Sequence, residues 1–314
     1  MARAFVFPGQ GAQFVGMGQE LAQAFPVARA VYEEVDEALG DRLSILMAEG
    51  PESALTLTEN AQPALMAVSL AVVRVLEAEG VRLPSFASYV AGHSLGEYSA
   101  LCAAGSLSLW DTARLLRARG RAMQNAVPVG EGVMAAVLGL DLATVQTVVE
   151  DAAGAQGCVC QVANDNSPEQ VVISGTRKGV ETALELVAQR GARRSVLLPV
   201  SAPFHCALMQ PAAEVMAEVL STASLQAPVV PVVSNVTATG TQDPQVLRRL
   251  LVEQVTGQVR WRESMLFLKA QGVSTLVECG AGKVLTGLAR RIDRGFSPTA
   301  LNTVDDIRVL MAAV

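Results

Sequence analysis

Short runs rich in apolar and β-branched residues alternate with stretches whose apolar positions recur at helical spacing. That alternation restricts the chain to an α/β protein with a largely parallel sheet. Ala4-Phe5-Val6-Phe7 is the first strand-like run, and it stops in Pro8-Gly9-Gln10-Gly11, where glycine lets the backbone turn tightly. Helical spacing follows over residues 17–25, 27–39, 63–79 and 109–125, and Ser88-Tyr89-Val90-Ala91 reads as a strand running straight into Gly92. From about residue 130 the pattern changes: strand 133–140, helix 142–152, strands 159–163 and 170–174, helix 178–190, strand 195–198. This β-α-β-β-α-β order predicts a ferredoxin-like unit. Because α/β alternation resumes with strands at 229–234 and 275–277, the unit reads as an insertion. The expected organisation is a large α/β domain from residues 1–129 and 199–314, with a small ferredoxin-like domain over 130–198.

The 314 residues are ample for an enclosed core. A 51% hydrophobic composition with 17% charge and a mean hydropathy of +0.35 raises the question of a membrane span, which needs about 20 continuous apolar residues. The longest charge-free run, 219–242, is broken by Pro228, Pro231 and hydroxyls, while 61–73 is too short and holds Gln62 and Pro63. The apolar excess is therefore read as core, and no membrane partner is expected. The chain enters Phe5-Val6-Phe7-Pro8-Gly9 without the pattern of an export signal, so a cytoplasmic protein is expected. A net charge of -6 without a long basic run argues against nucleic acid as a partner. The five cysteines, Cys102, Cys158, Cys160, Cys206 and Cys279, are scattered in mostly apolar sequence and read as buried free thiols. Cys158 and Cys160 fall on one face of an expected strand, with no second pair or nearby histidine to complete a zinc site, so no metal is expected.

Gly92-His93-Ser94-Leu95-Gly96 fits G-x-S-x-G, the strand-turn-helix elbow that lifts a serine hydroxyl clear of a sheet edge. The five residues alone fit a tight packing turn about as well; the preceding apolar strand and the following helical stretch favour a nucleophile. A serine needs a base, and the chain has only two histidines. His93 adjoins Ser94, where its side chain leaves the turn in another direction. His205, in Pro199-Val200-Ser201-Ala202-Pro203-Phe204-His205-Cys206, follows a strand and is the better partner, against the alternative of a hydrogen-bonded core histidine. Within 109–125, Arg114, Arg117 and Arg121 share one stripe, whereas Arg119 falls on the apolar side among Leu115, Leu116 and Met123. A buried arginine must be paired. On helix pattern alone, an internal ion pair weighs slightly more than a ligand carboxylate.

Taken together, the motifs resemble the malonyl-CoA:acyl carrier protein transacylase family along nearly the whole chain. They are Phe7-Pro8-Gly9-Gln10-Gly11, Thr58 with Gln62-Pro63-Ala64, Gly92 to Tyr98, Arg119-Gly120, Asn164 with Gln170 to Gly175, Ser201 to His205, and Glu278-Cys279-Gly280 with Gly282 to Leu285. The resemblance implies an α/β-hydrolase-like large domain and ping-pong transfer of malonyl from malonyl-CoA to the phosphopantetheine thiol of acyl carrier protein, in fatty acid synthesis. It implies that Ser94 is acylated, that His205 is its base and that the backbone carbonyl of Gln254 orients the imidazole. It further implies an oxyanion hole from the N–H groups of Gln10 and Leu95, Arg119 on the malonyl carboxylate, and Gln62 and Asn164 lining the pocket. No metal or redox cofactor is implied.

Phe204 departs from family members with serine there and resembles malonyl-selective acyltransferase domains of polyketide synthases; its bulk would crowd an α-methyl group. A trans-acting polyketide acyltransferase is thus the nearest alternative. A serine hydrolase or thioesterase fits less well, because α/β-hydrolases place their histidine late, after an acidic partner, and none follows His205 here. A carrier-docking module without catalysis conflicts with the intact Ser94, His205 and Arg119.

Overall fold

The computed structural model describes residues 2–128, 130–154 and 157–313; the expected domain boundary at Val129 falls just outside them. In chain order the strands are β1 (Ala2–Phe7), β2 (Tyr89–Gly92), β3 (Gly132–Leu138), β4 (Cys160–Ser167), β5 (Gln170–Thr176), β6 (Arg194–Leu197), β7 (Val232–Val233), β8 (Gly240–Thr241), β9 (Val273–Cys279) and β10 (Ser297–Leu301). They form two sheets: six strands in the order β10-β9-β1-β2-β7-β8, and four in the order β4-β5-β3-β6. The first is parallel except for the β7–β8 edge pair, and the second is antiparallel throughout.

The central position of β1 follows from its composition. Alternate side chains of a strand face opposite ways, so the stretch covered on both faces, Ala4–Phe7, must be apolar at every position. Phe5 and Phe7 enter the principal core with the helix Thr58–Ala78, while Ala4 and Val6 enter a second core with Trp261, Met265 and Leu268. Crossover helices supply both layers. Their ends are written locally: Ser108 caps Leu109–Asn125 by accepting from the Asp111 N–H, and Pro26 and Pro244 open their helices without needing an N–H there.

The helix Thr58–Ala78 is 21 residues, longer than the expected 63–79, because its N-terminal turns carry Glu59 and Asn60 ahead of the apolar run. By length and composition it would suffice to cross a membrane, which corrects the expectation that no segment has the length; 83% of its apolar window is buried inside the protein. The strand expected over 229–234 shrinks to Val232–Val233, beside Pro231, which has no N–H to give to a ladder. Cys158 lies before β4 rather than in it, so only Cys160 takes the strand geometry; all five cysteines are free, and Cys102, Cys160, Cys206 and Cys279 are buried.

The small sheet has its own core, in which Ala135, Val137, Val162, Val171 and Ile173 pack on Val145, Val148, Val149, Val180 and Val187. Helices Leu142–Ala153 and Arg177–Gln189 cover it, giving the element order strand, helix, strand, strand, helix, strand. β4 ties it to the rest of the molecule. The Asp165 N–H donates to the Val259 carbonyl at 3.0 Å, the Val259 N–H donates to Ala163 at 2.8 Å, and the buried Asp165 carboxylate accepts from Arg262 Nε at 2.8 Å. A cleft between the two sheets results, at the carboxyl ends of β1 and β2.

Candidate active site

The turn after β2 exists because two glycines stand where no side chain fits. A Cβ on Gly92 would lie 1.9 Å from the Gly96 carbonyl group, and one on Gly96 would lie 2.3 Å from the Phe7 carbonyl oxygen. Between them Ser94 is held at φ 53°, a left-handed conformation that costs a non-glycine residue about 1–3 kcal/mol and places its hydroxyl at the strand end. Asn235 holds this turn in place. Its Oδ1 accepts from the Ser94 N–H at 2.7 Å and its Nδ2 donates to the Gly92 carbonyl at 2.7 Å.

His205, also at positive φ (58°), brings Nε2 to 2.8 Å from Ser94 Oγ. Its Nδ1–H donates to the backbone carbonyls of Gln254 at 2.9 Å and Gly257 at 3.1 Å. Those two acceptors fix the tautomer that leaves Nε2 free to accept the serine proton. Burial, followed by the Arg119 charge, pushes the imidazole pKa down to about 3, so the ring is neutral at physiological pH. A neutral imidazole against a serine hydroxyl is the arrangement general-base catalysis needs.

Arg119 is 1% exposed and has no carboxylate within ion-pair distance among the described residues. Its Nη1 donates to Gln62 Oε1 at 2.7 Å, and its Nη2 donates to Gln254 Oε1 at 2.9 Å and Ser94 Oγ at 3.1 Å. The internal ion pair that helix pattern alone favoured is therefore not made. Arg117, two residues earlier, does pair with a carboxylate: buried itself, it donates to Asn60 Oδ1 at 2.6 Å and reaches the exposed Asp41 at 3.2 Å. Its expected grouping with Arg114 and Arg121 misses this, because Asp41 and Asn60 fold over it from outside the helix.

A cavity of about 90 Å³ opens onto these groups, and Gln10, Gln62, Leu95, Asn164 and Phe204 are among its lining residues. Every residue singled out from the sequence thus reaches the cleft, Gln254 through its hydrogen bonds. Neither the Gln10 nor the Leu95 N–H donates to another group among the described residues. Thr58 Oγ1 donates to Gln10 Oε1 at 2.8 Å and steadies that loop. His93 turns away from Ser94; its Nε2 lies 2.8 Å from Asn166 Oδ1 and its ring packs on Trp261.

Three contributors escape sequence reading: Asn235, the side chain of Gln254, and Glu97. Glu97 is fully buried at the first turn of the helix Gly96–Ala103, and Oε2 accepts from the Asn235 N–H at 3.0 Å and Gln254 Nε2 at 2.8 Å. Burial pushes its carboxyl up to about 7, against the opposing pull of those donors and of Arg119. Its position directly after the G-x-S-x-G pattern is the one signal in the sequence.

Residues 4–297 match the acyl transferase domain family. The malonyl CoA-acyl carrier protein transacylase of Bacillus subtilis (strain 168) is 47% identical over 306 residues, covering 98% of this chain and 95% of that protein. The crystal structure of acyl-carrier-protein-S-malonyltransferase from Bartonella henselae has a TM-score of 0.97 at 56% identity, covering 100% of this chain and 99% of that one. A type II polyketide synthase acyl carrier protein in complex with its malonyl-transacylase has a TM-score of 0.96 at 42% identity, covering 100% of both chains. Fold, cleft and relatives define an acyltransferase. Within that class, the chain belongs to the malonyl CoA-acyl carrier protein transacylase family.

Proposed function

We propose that this chain moves a malonyl group from malonyl-CoA to the phosphopantetheine thiol of acyl carrier protein through a malonyl ester on Ser94. The single observation that carries the proposal is Arg119: a buried guanidinium lined by neutral amides, 3.1 Å from the serine oxygen, in a cleft open to a ligand. A buried cation without an anion is unfavourable, and a carboxylate on the acyl group supplies the missing charge with bidentate geometry. An acyl group joined to Ser94 and bearing a carboxylate one carbon beyond its carbonyl is malonyl.

His205 Nε2 takes the Ser94 proton as Oγ attacks the thioester carbon, and the oxygen charge that forms is met by the N–H groups of Gln10 and Leu95. The C–S bond breaks and CoA leaves with the proton held by His205. In the second half the carrier thiol gives its proton to His205, attacks the ester and releases Ser94, which regains the proton. Gln254 acts through its carbonyl on His205 Nδ1, while Gln62 and Asn164 shape the acyl pocket. The chemistry draws on no metal or redox cofactor.

The large unit, 1–129 and 199–314, is read as α/β-hydrolase-like, supported by its mainly parallel sheet with the serine beyond the end of β2. The 130–198 unit is read as ferredoxin-like, supported by its element order and by the β4-β5-β3-β6 arrangement. The site would serve a cytoplasmic carrier protein of fatty acid synthesis. Phe204, 8% exposed on the pocket wall, also favours a second reading, a polyketide carrier supplied in trans with malonyl kept over its α-methyl homologue. Intact-mass analysis after incubation with malonyl-CoA tests the main proposal. Wild type is expected to gain one malonyl adduct and Ser94→Ala none; an adduct of normal yield on the variant removes Ser94 from the reaction.

A further inference from the structure

Arg119 is aimed by two glutamine oxygens, and the two glutamines are not held alike. The Gln62 amide nitrogen has only Met123 Sδ at 3.7 Å, a weak acceptor. The Gln254 nitrogen faces three oxygens: Ser94 O at 3.0 Å, Glu97 Oε2 at 2.8 Å and Asn235 Oδ1 at 3.2 Å. A primary amide can be turned end for end, and the reversed form would set its NH₂ against the guanidinium and its oxygen against the Ser94 carbonyl. Both contacts would be repulsive. Glu97 Oε2 already accepts from the Gln254 nitrogen, and the reversed form would set the amide oxygen against that acceptor, so Glu97 favours one orientation over the other. Asn235 reinforces that choice, its own amide being fixed by the Ser94 N–H and the Gly92 carbonyl at 2.7 Å each.

We propose that Glu97 is a positioning residue for acyl selectivity: it locks the Gln254 side-chain amide so that Oε1 faces Arg119 and holds the guanidinium aimed at the acyl carboxylate. This rests on the reading of Arg119 given above. Glu97 does not line the cavity; it acts through Gln254, which is fully buried beside it. Its second oxygen, Oε1, has no hydrogen-bond partner among the described residues, so one oxygen carries the positioning.

The proposal predicts an effect on malonyl that acetyl does not share. Steady-state kinetics with malonyl-CoA and acetyl-CoA on the full chain, with holo acyl carrier protein as acceptor, read it directly. Glu97→Ala also frees the Asn235 N–H, which acts on both acyl groups alike, so the ratio is read: KM for malonyl-CoA is expected to rise about tenfold more than KM for acetyl-CoA, the size of one hydrogen bond to a charged group. Glu97→Gln keeps an acceptor oxygen in place and is expected to stay within about threefold of wild type on both substrates. On a Gln254→Ala background, which retains the carbonyl on His205 Nδ1, Glu97→Ala is expected to add nothing further to the malonyl-to-acetyl KM ratio. Equal changes for both acyl groups, a Glu97→Gln variant as impaired as Glu97→Ala, or additive effects on the ratio in the double variant would each overturn it. If Glu97→Ala does not fold, Gln254→Ala alone must reproduce the malonyl-only rise in KM, and its failure to do so overturns the proposal equally. Arg119→Ala in the same assay separates the two levels: if it does not favour acetyl over malonyl, the reading of the site has failed, and not merely the role of Glu97.

Discussion

Arg117 and Arg119 leave the same helix two residues apart, and both are buried, at 8% and 1% exposure, yet they meet different chemistry. Arg117 points toward Asp41, Glu59 and Asn60, so its charge is balanced by the protein's own carboxylates. Arg119 points into the cleft, where its acceptors are two amides and the Ser94 hydroxyl. Burial alone therefore does not distinguish a structural arginine from a ligand-binding one; the charge of the partners does. One guanidinium is complete in the folded chain. The other has no anionic partner within ion-pair distance among the described residues, and the proposed function gives it the substrate's carboxylate.

The largest expected loss sets the scale for that contrast. His205→Ala removes the proposed base and should slow Ser94 acylation by about 10²–10⁴-fold, measured by rapid-quench mass analysis with malonyl-CoA. His93→Ala, which loses contacts to Asn166 and Trp261 but not to Ser94, should do much less. A crippled His93→Ala with a mild His205→Ala would exchange the two roles. Arg119→Ala comes next: stranding a buried carboxylate costs about 3–5 kcal/mol, so malonyl kcat/KM should fall several hundred-fold or more while acetyl kcat/KM holds or rises. Arg117→Ala should lower unfolding free energy by roughly 1–3 kcal/mol in urea titration and leave the malonyl-to-acetyl ratio unchanged. A shifted ratio would erase the distinction between the two arginines.

The smallest effect concerns pH. An ordinary imidazole titrates near 6.5, whereas burial and Arg119 push His205 down to about 3. Folding thus favours the neutral ring: this part of the stability is intact above about pH 6.5 and is lost as pH falls toward 3. The His205 ring stays unprotonated across the same window, so acylation should show no histidine inflection near 6.5. Glu97, held up to about 7, titrates nearby, and the cleanest profile is that of Glu97→Gln. Its acylation rate constant should be flat from about pH 5 to about pH 8; an inflection near 6.5 would mean that the imidazole is solvated.

Much of this was legible in the residues, for a physical reason. A nucleophile elbow is a local structure, and its requirements, an apolar strand, two glycines without room for a Cβ and a following helix, are written within a dozen positions. The bounds Leu109–Asn125 match the expectation because Ser108 and the apolar spacing are equally local. Positions defined by distant packing were not legible. Arg117 shares a stripe with Arg114 and Arg121, and nothing within the helix announces that Asp41, Glu59 and Asn60 reach it. Asn235 and the Gln254 side chain are single polar residues whose partners come from 141 and 160 positions away, at Ser94. The edge strand β10, with Ser297 and Pro298 at its start, lacks the continuous apolar run that marks β1.

The central claim is that the charge left unbalanced at Arg119 selects the acyl group carried by Ser94. Its most direct test presents equimolar malonyl-CoA and acetyl-CoA to wild type, Arg117→Ala and Arg119→Ala, and reads the mass of the adduct on the Ser94 peptide. Wild type and Arg117→Ala should carry malonyl, and Arg119→Ala should carry mainly acetyl. Malonyl still dominant on Arg119→Ala, or displaced equally in Arg117→Ala, would contradict the account.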